Sequence, residues 1–265
     1  GIIILKNPPL RIFQLDFNGK IINSVSEENL PERYFEFNKL QYQGVSFANY
    51  ELISIDNLGN IIKETYPIKK ADEEFFYDDI KIAIVNLKDP SQSKVVDFEF
   101  PESIKKVNGI DYDFPSVTVG KDNAKIISFP SSNVILIDRN GNGNFELLQL
   151  ETISDVIDSN QIEIGESQFS RRSKILRKGN RLFPLKYDKF HNKYYRIWRS
   201  DYSDSRLRKH NILFYDLNFN LVGSTILPNY LTHEVFPTQK GLLFLHSSES
   251  YKSETNIDYT LLNIK

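Results

Sequence analysis

The sequence has no cysteine and no methionine in 265 residues. Without thiols, disulfide staples, thiolate nucleophiles and zinc–thiolate centres are excluded, and the redox compartment stays open. The missing methionine includes the initiator, so the expectation is a chain that begins after processing, with a signal peptide or lipid-attachment segment ahead of Gly1. Alanine is scarce, occurring only at Ala48, Ala71, Ala83 and Ala124. A large charge of one sign is also missing: a net charge of -2 gives no general reason to expect a polyanionic partner, and nucleic acid is not expected. No run approaches the length of a membrane-spanning helix, so any membrane link would be a lipid anchor. No Gly-x-Ser-x-Gly elbow, phosphate-binding loop or dinucleotide fingerprint occurs, which weakens an enzyme reading from the start.

What is present favours pleated surfaces. The chain carries 14 Tyr and 19 Phe with frequent Ile, Leu and Val, and 40% hydrophobic against 26% charged residues is a globular balance. One domain spanning 1–265 is the expectation. A unit recurs along it: an apolar strand, an Asp or Asn, a short turn and a second strand. The copies are "IFQLDFNGKII" from Ile12, "LISIDNLGNII" from Leu52, "VILIDRNGNGNF" from Val134 and "ILFYDLNFNLV" from Ile212, with looser ones at Ile82 and Asp258. Each alternates at period two and then turns, so each reads as a β-hairpin whose first turn side chain accepts backbone N–H groups.

The anchors Asp16, Asp56, Asn86, Asp138, Asp216 and Asn263 recur at spacings near, or near twice, about 40 residues, the size of one four-stranded propeller blade. A weaker unit ends at Asp188, and only the Asp56–Asn86 interval is short. The predicted fold is an all-β, six-bladed β-propeller, with seven blades the nearest alternative and a β-sandwich the structural rival. Helical turns are expected only within 26–40 and 151–160.

These hairpins, together with "DYDFPSVTVG" from Asp111, "YDKFHNKYYRIWRS" from Tyr187 and "FPTQKGLLFLH" from Phe236, resemble an uncharacterised family of Bacteroides-type exported lipoproteins. The resemblance implies a six-bladed, TolB-like or NHL-like propeller of unknown function at the cell envelope, periplasmic or on the outer membrane. It transfers no catalytic residue.

Four constellations could carry chemistry. Asp138, Asn140, Asn142 and Gly143 match the front half of a calcium loop, and Glu146 could add an oxygen, but Gln149 stands where a bidentate Glu is needed. A structural turn is therefore the reading, no cofactor is expected, and calcium is the alternative. From Arg171 to Arg199 the chain is strongly basic, with Asp188 its only acid. Within it Arg196 and Trp198 are the candidate ligand-binding pair, with Tyr194 and His191 beside them: Arg can hold a carboxylate while Trp stacks on a sugar. Strand alternation would place Tyr194, Arg196 and Trp198 on one face and Tyr195, Ile197 and Arg199 on the other. His191, His210, His233 and His246 show no metal-site spacing, and Asp111 with Asp113 could divide acid and base roles only if a substrate lay between them.

The function that follows is a non-catalytic binding or interaction module of the envelope, recognising a glycan, a peptide or an envelope protein. A glycan-acting hydrolase or lyase at the propeller channel is the alternative, and a structural lipoprotein component the second.

Overall fold

The structure is a computed structural model and describes residues 2–6, 11–26, 29, 54–65, 80–105, 115–130, 132–153, 181–199, 210–246 and 258–264. The helical turns expected within 26–40 and 151–160 lie almost wholly outside these residues. Among the described residues every sheet is antiparallel and built from consecutive strands. Sheet I holds β1 (Ile2–Lys6), β2 (Arg11–Leu15) and β3 (Ile21–Ser26). Sheet II holds β4 (Ser54–Ile55), β5 (Ile61–Thr65), β6 (Lys81–Val85) and β7 (Lys94–Val96). Sheet III holds β8 (Ser116–Val119), β9 (Lys125–Ser128), β10 (Val134–Asp138) and β11 (Glu146–Gln149). Sheet IV holds β12 (Arg181–Leu182), β13 (Lys186–Asp188), β14 (Lys193–Arg199), β15 (His210–Tyr215) and β16 (Leu221–Leu227). Sheet V holds β17 (Leu231–Thr238), β18 (Gly241–His246) and β19 (Tyr259–Leu262).

The all-β, propeller-shaped expectation holds, but the count of six or seven blades does not: the described strands form five sheets joined by four inter-sheet cores. The anchor spacing overcounts because one sheet uses the polar turn twice. Asp56 and Asn86, read as two blades, head the β4–β5 and β6–β7 hairpins of sheet II, and Asp188 and Asp216 do the same in sheet IV. The short Asp56–Asn86 interval is the distance between two turns of one sheet.

The sheets pack face to face in chain order. Ile12 and Val25 of sheet I meet Ile61 and Val85 of sheet II, and Ile82 of sheet II meets Ile127 and Leu136 of sheet III. Ile126 and Ile137 of sheet III meet Leu213 and Tyr215 of sheet IV, while Tyr195 and Ile212 of sheet IV meet Leu242 and Phe244 of sheet V. Ile126 and Ile127 are adjacent, fully buried and in different cores, which is why β9 reads as a continuous apolar run. Each such side chain contributes about 1.5–3 kcal/mol of burial.

The packing is radial. The first strands β4 and β8 approach one another, as do β8 and β13. Ser54 Oγ donates to Val117 O (3.0 Å) between sheets II and III, and Thr118 Oγ1 donates to Leu185 O (2.6 Å) between sheets III and IV. Burial falls from β8, β9 and β10, almost wholly buried, to the largely exposed β11, as expected for wedges whose inner edges converge.

Antiparallel order gives the wheel two different ends. Turns 56–60 and 86–93 of sheet II, 120–124 and 138–145 of sheet III, and 188–192 and 216–220 of sheet IV share one end. Asn57 N–H donates to Asn123 Oδ1 (2.8 Å) and Lys121 N–H to Tyr194 Oη (3.1 Å), tying the three inner turns side by side. The described strand ends that lead out of sheets II, III and IV and into sheets III, IV and V lie at the opposite, crossover end, where Pro101–Lys105 (with helix α1, Glu102–Lys105) places Ile104 in the core of sheets II and III beside Phe100 and Phe129.

Candidate functional site

At the turn end the polar groups are spent on the turns themselves. In the Asp16, Asp56 and Asp216 turns one carboxylate oxygen accepts the N–H of the second and fourth residues following, at 2.8 to 2.9 Å. The residue three beyond each Asp is left-handed: Gly19 (φ 81), Gly59 (φ 84) and Phe219 (φ 67). Glycine suits that geometry, and Phe219 tolerates it because its ring is buried and stacked on Tyr194 at 4.7 Å.

The Asp138 turn is a longer version of the same device. Its carboxylate is fully buried; Oδ1 accepts from Asn140 N and Asn142 N (3.2 Å each), and Oδ2 accepts from Gly143 N (3.0 Å) and faces Lys125 Nζ at 3.5 Å. Asn142 Oδ1 accepts from Asn144 N (3.0 Å), and Glu146 Oε2 pairs with Arg139 Nε (3.4 Å). A calcium ion needs six to eight oxygens turned toward it at about 2.3–2.6 Å. Here the best oxygens already face N–H groups and an ammonium, so this arrangement reverses the chain. Among the described residues, no group of three or more His, Cys, Asp or Glu is placed to hold a metal.

One turn carries acid–base geometry. Asp188 is 1% exposed and accepts Phe190 N–H at 2.9 Å, while its Oδ2 lies 2.7 Å from His191 Nδ1. With a carboxylate as partner, Nδ1 is the donor of this pair, and Nε2 is the ring nitrogen that the pair leaves over. At Asp56 and Asp216 the second carboxylate oxygen instead accepts an Asn side chain, Asn60 or Asn220, at 2.9 Å. His191 thus substitutes an imidazole for a capping amide.

The basic block is dispersed by the sheet. Tyr194, Arg196 and Trp198 point toward sheet III, and Tyr195 and Ile197 toward sheet V, the alternation read from the sequence. Both faces of β14 are covered. Tyr194 is buried between Tyr187 (5.1 Å) and Phe219, and burial pushes its phenol above the ordinary range. Arg196 is 1% exposed: Nε donates to Phe183 O (2.7 Å), Nη1 to Ser132 O (3.1 Å) and Nη2 to Phe129 O (2.6 Å). Its fork clamps two crossover-end loops, the geometry a bidentate ligand would otherwise use. Arg181, Arg199 and His210 stand in register across β12, β14 and β15 on the sheet V face of the same end. Trp198 is half-buried against the core of sheets III and IV and directly opposite Asn211. Sequence reasoning missed Asn211; pairing "HNILFY" with "YYRIWR" in alternation would have found it.

Asp111, Asp113, Arg171, Arg172, Lys174, Arg177 and Lys178 lie outside the described residues. The His246 ring packs tilted against Tyr230 with centroids 4.8 Å apart, and its Nε2 is 2.8 Å from Thr260 Oγ1. Among the described residues, no helix is long and apolar enough to cross a membrane.

A crystal structure of a DUF4221 family member from Bacteroides vulgatus ATCC 8482 is similar over 96% of this chain and 73% of that one, at 16% identity and a TM-score of 0.61. That likeness supports the fold alone. A streptogramin B lyase (12% identity, 96% of this chain and 77% of that one, TM-score 0.38) and a virginiamycin B lyase from Staphylococcus aureus (12%, 99% and 84%, TM-score 0.39) are more distant in shape. No curated protein matches the chain. The family model for DUF4221, a domain of unknown function, matches residues 2–225, and the chain belongs to that family.

Proposed function

We propose that this chain is a non-catalytic binding module that takes a glycan or a peptide at its crossover end. The supporting observation is the inequality of the two ends. At the turn end the hairpin carboxylates are occupied within their own turns, whereas the crossover end carries the β14–β15 pair Trp198 and Asn211, with the Trp198 indole N–H buried and without a hydrogen-bond partner among the described residues. Binding residues concentrate on connections held by a rigid scaffold. An envelope location through a lipid anchor is part of this reading and is supported by the family resemblance; fractionation of cells with metabolic palmitate labelling tests it. The binding claim is tested by calorimetry against neutral oligosaccharides, oligogalacturonate and an unstructured peptide library. Saturable binding of one class is expected, and no binding to any of them would contradict it.

A second reading is favoured by one observation, the Asp188–His191 hydrogen bond at the opposite end. An imidazole oriented by a buried carboxylate is equipped to take a proton, which is what a glycan-acting hydrolase or lyase needs of a base. New reducing ends or unsaturated products from the same oligosaccharides, abolished in His191→Gln, would establish it. Their absence would leave the pair as a turn.

A further inference from the structure

We infer that Trp198 and Asn211 form a subsite for a neutral saccharide at the crossover end of sheet IV, on the face turned toward sheet III. This deepens the binding reading and rests on it. The β14–β15 register puts Trp198 directly opposite Asn211, and the β12–β14 register puts Leu182 on the other side of Trp198. Directly opposed side chains on one face lie about 4.5–5.5 Å apart at Cβ. Leu213 and Tyr215, two and four residues beyond Asn211, are in the core of sheets III and IV, so alternation turns Asn211 and Trp198 toward sheet III as well.

Two observations point to a ligand. Trp198 Nε1 is buried and has no hydrogen-bond partner among the described residues, although burying an indole N–H without an acceptor is unfavourable. Beside it stands the amide of Asn211, 5% exposed, which can offer two donors and one acceptor. The charge on this face does not select the ligand, because the Arg196 fork is turned onto three backbone carbonyls. A neutral group bearing adjacent hydroxyls beside an apolar ring face meets these demands: one hydroxyl oxygen accepts from Nε1, its neighbour exchanges hydrogen bonds with Asn211, and the ring packs along the indole and Leu182.

Trp198 is the sole tryptophan, so its fluorescence reports this place and no other. The protein is titrated with cellopentaose, maltopentaose, xylopentaose, mannopentaose and, as charged comparator, tetragalacturonate. A saturable emission change with at least one neutral sugar is expected, weakened about tenfold or more in Asn211→Ser, matching the loss of about one strong hydrogen bond. Trp198→Phe keeps an aromatic ring but removes the donor and part of the ring surface; calorimetry should show a loss at least as large while the protein stays folded at the assay temperature, which keeps the test valid if Asn211→Ser folds poorly. Binding that neither substitution weakens overturns the subsite and leaves the binding module standing. A response to tetragalacturonate alone overturns it by showing charge recognition. No response to any sugar overturns it outright, while peptide binding by calorimetry would still uphold the broader reading.

Discussion

Arg196 Nη2 lies 2.6 Å from the carbonyl oxygen of Phe129, bridging from sheet IV to the loop that leaves β9 of sheet III. With Nε on Phe183 O and Nη1 on Ser132 O, one side chain satisfies three carbonyls that the crossover end turns inward. Arg196→Leu should therefore cost about 3–5 kcal/mol, since it strands acceptors as well as removing bonds. Arg196→Lys has a single ammonium for three carbonyls and should recover only part. The denaturant midpoint should fall at unchanged slope.

Lys125 and Asp138 make the matching test at the turn end. Lys125→Met leaves a buried carboxylate without its ammonium, but three backbone N–H groups still serve it. The loss should stay below the about 3–5 kcal/mol typical of a broken buried pair. Millimolar calcium should leave the wild-type Tm unmoved; a rise of several degrees would mean the ion displaces Lys125 and organises the loop.

Tyr215 sets an alkaline limit. Its phenol is 1% exposed, and burial pushes its pKa from 10.0 up to about 12, a rise opposed by the Arg196 guanidinium and reinforced by Glu151. A pKa raised in the folded state gives stability that is complete below pH 10 and is lost as pH climbs from 10 toward 12. Tyr215→Phe should flatten that decline and cost about 1 kcal/mol at neutral pH, the net worth of its bond to Glu151 O (2.9 Å). Tyr195, also raised by burial, has no partner for its hydroxyl among the described residues. Tyr195→Phe should be neutral or stabilising at pH 7. Thermal melts from pH 7 to 11.5 separate the two.

Phe219 weighs backbone strain against packing. A left-handed non-glycine residue costs about 1–2 kcal/mol, while truncating a buried aromatic ring costs about 3–5 kcal/mol. Phe219→Gly should therefore destabilise by about 2–3 kcal/mol, although it matches Gly19 and Gly59 at the equivalent turns. Gly59→Ala, with open space around its Cβ, should cost only about 1 kcal/mol. Equal effects at the two sites would show that Tyr194 and the turn do not hold the Phe219 ring.

The polar turns were legible in the sequence because an Asp or Asn between two apolar strands at the start of a short turn is a local signal, and the structure uses Asp16, Asp56 and Asn86 as read. Blade number was not legible: the signal marks turns, and sheets II and IV each contain two. The sides of β14 followed from alternation, but its burial did not. Arg196 looks like a surface cation in a basic run, and only the carbonyls of Phe129, Ser132 and Phe183, distant in sequence or on another strand, make it a clamp. Trp198 stood out as an aromatic ring beside Arg196 in the basic run, whereas Asn211 acquires meaning only through the β14–β15 register.

The most direct test is hydrogen–deuterium exchange with and without a saturating ligand from the binding screen. Protection should appear at the crossover end, in residues 129–133, 181–183 and 210–211, and be absent from turns 56–60, 120–124 and 216–220. Protection centred on those turns, or on 188–192 around His191, would contradict the assignment of the binding face.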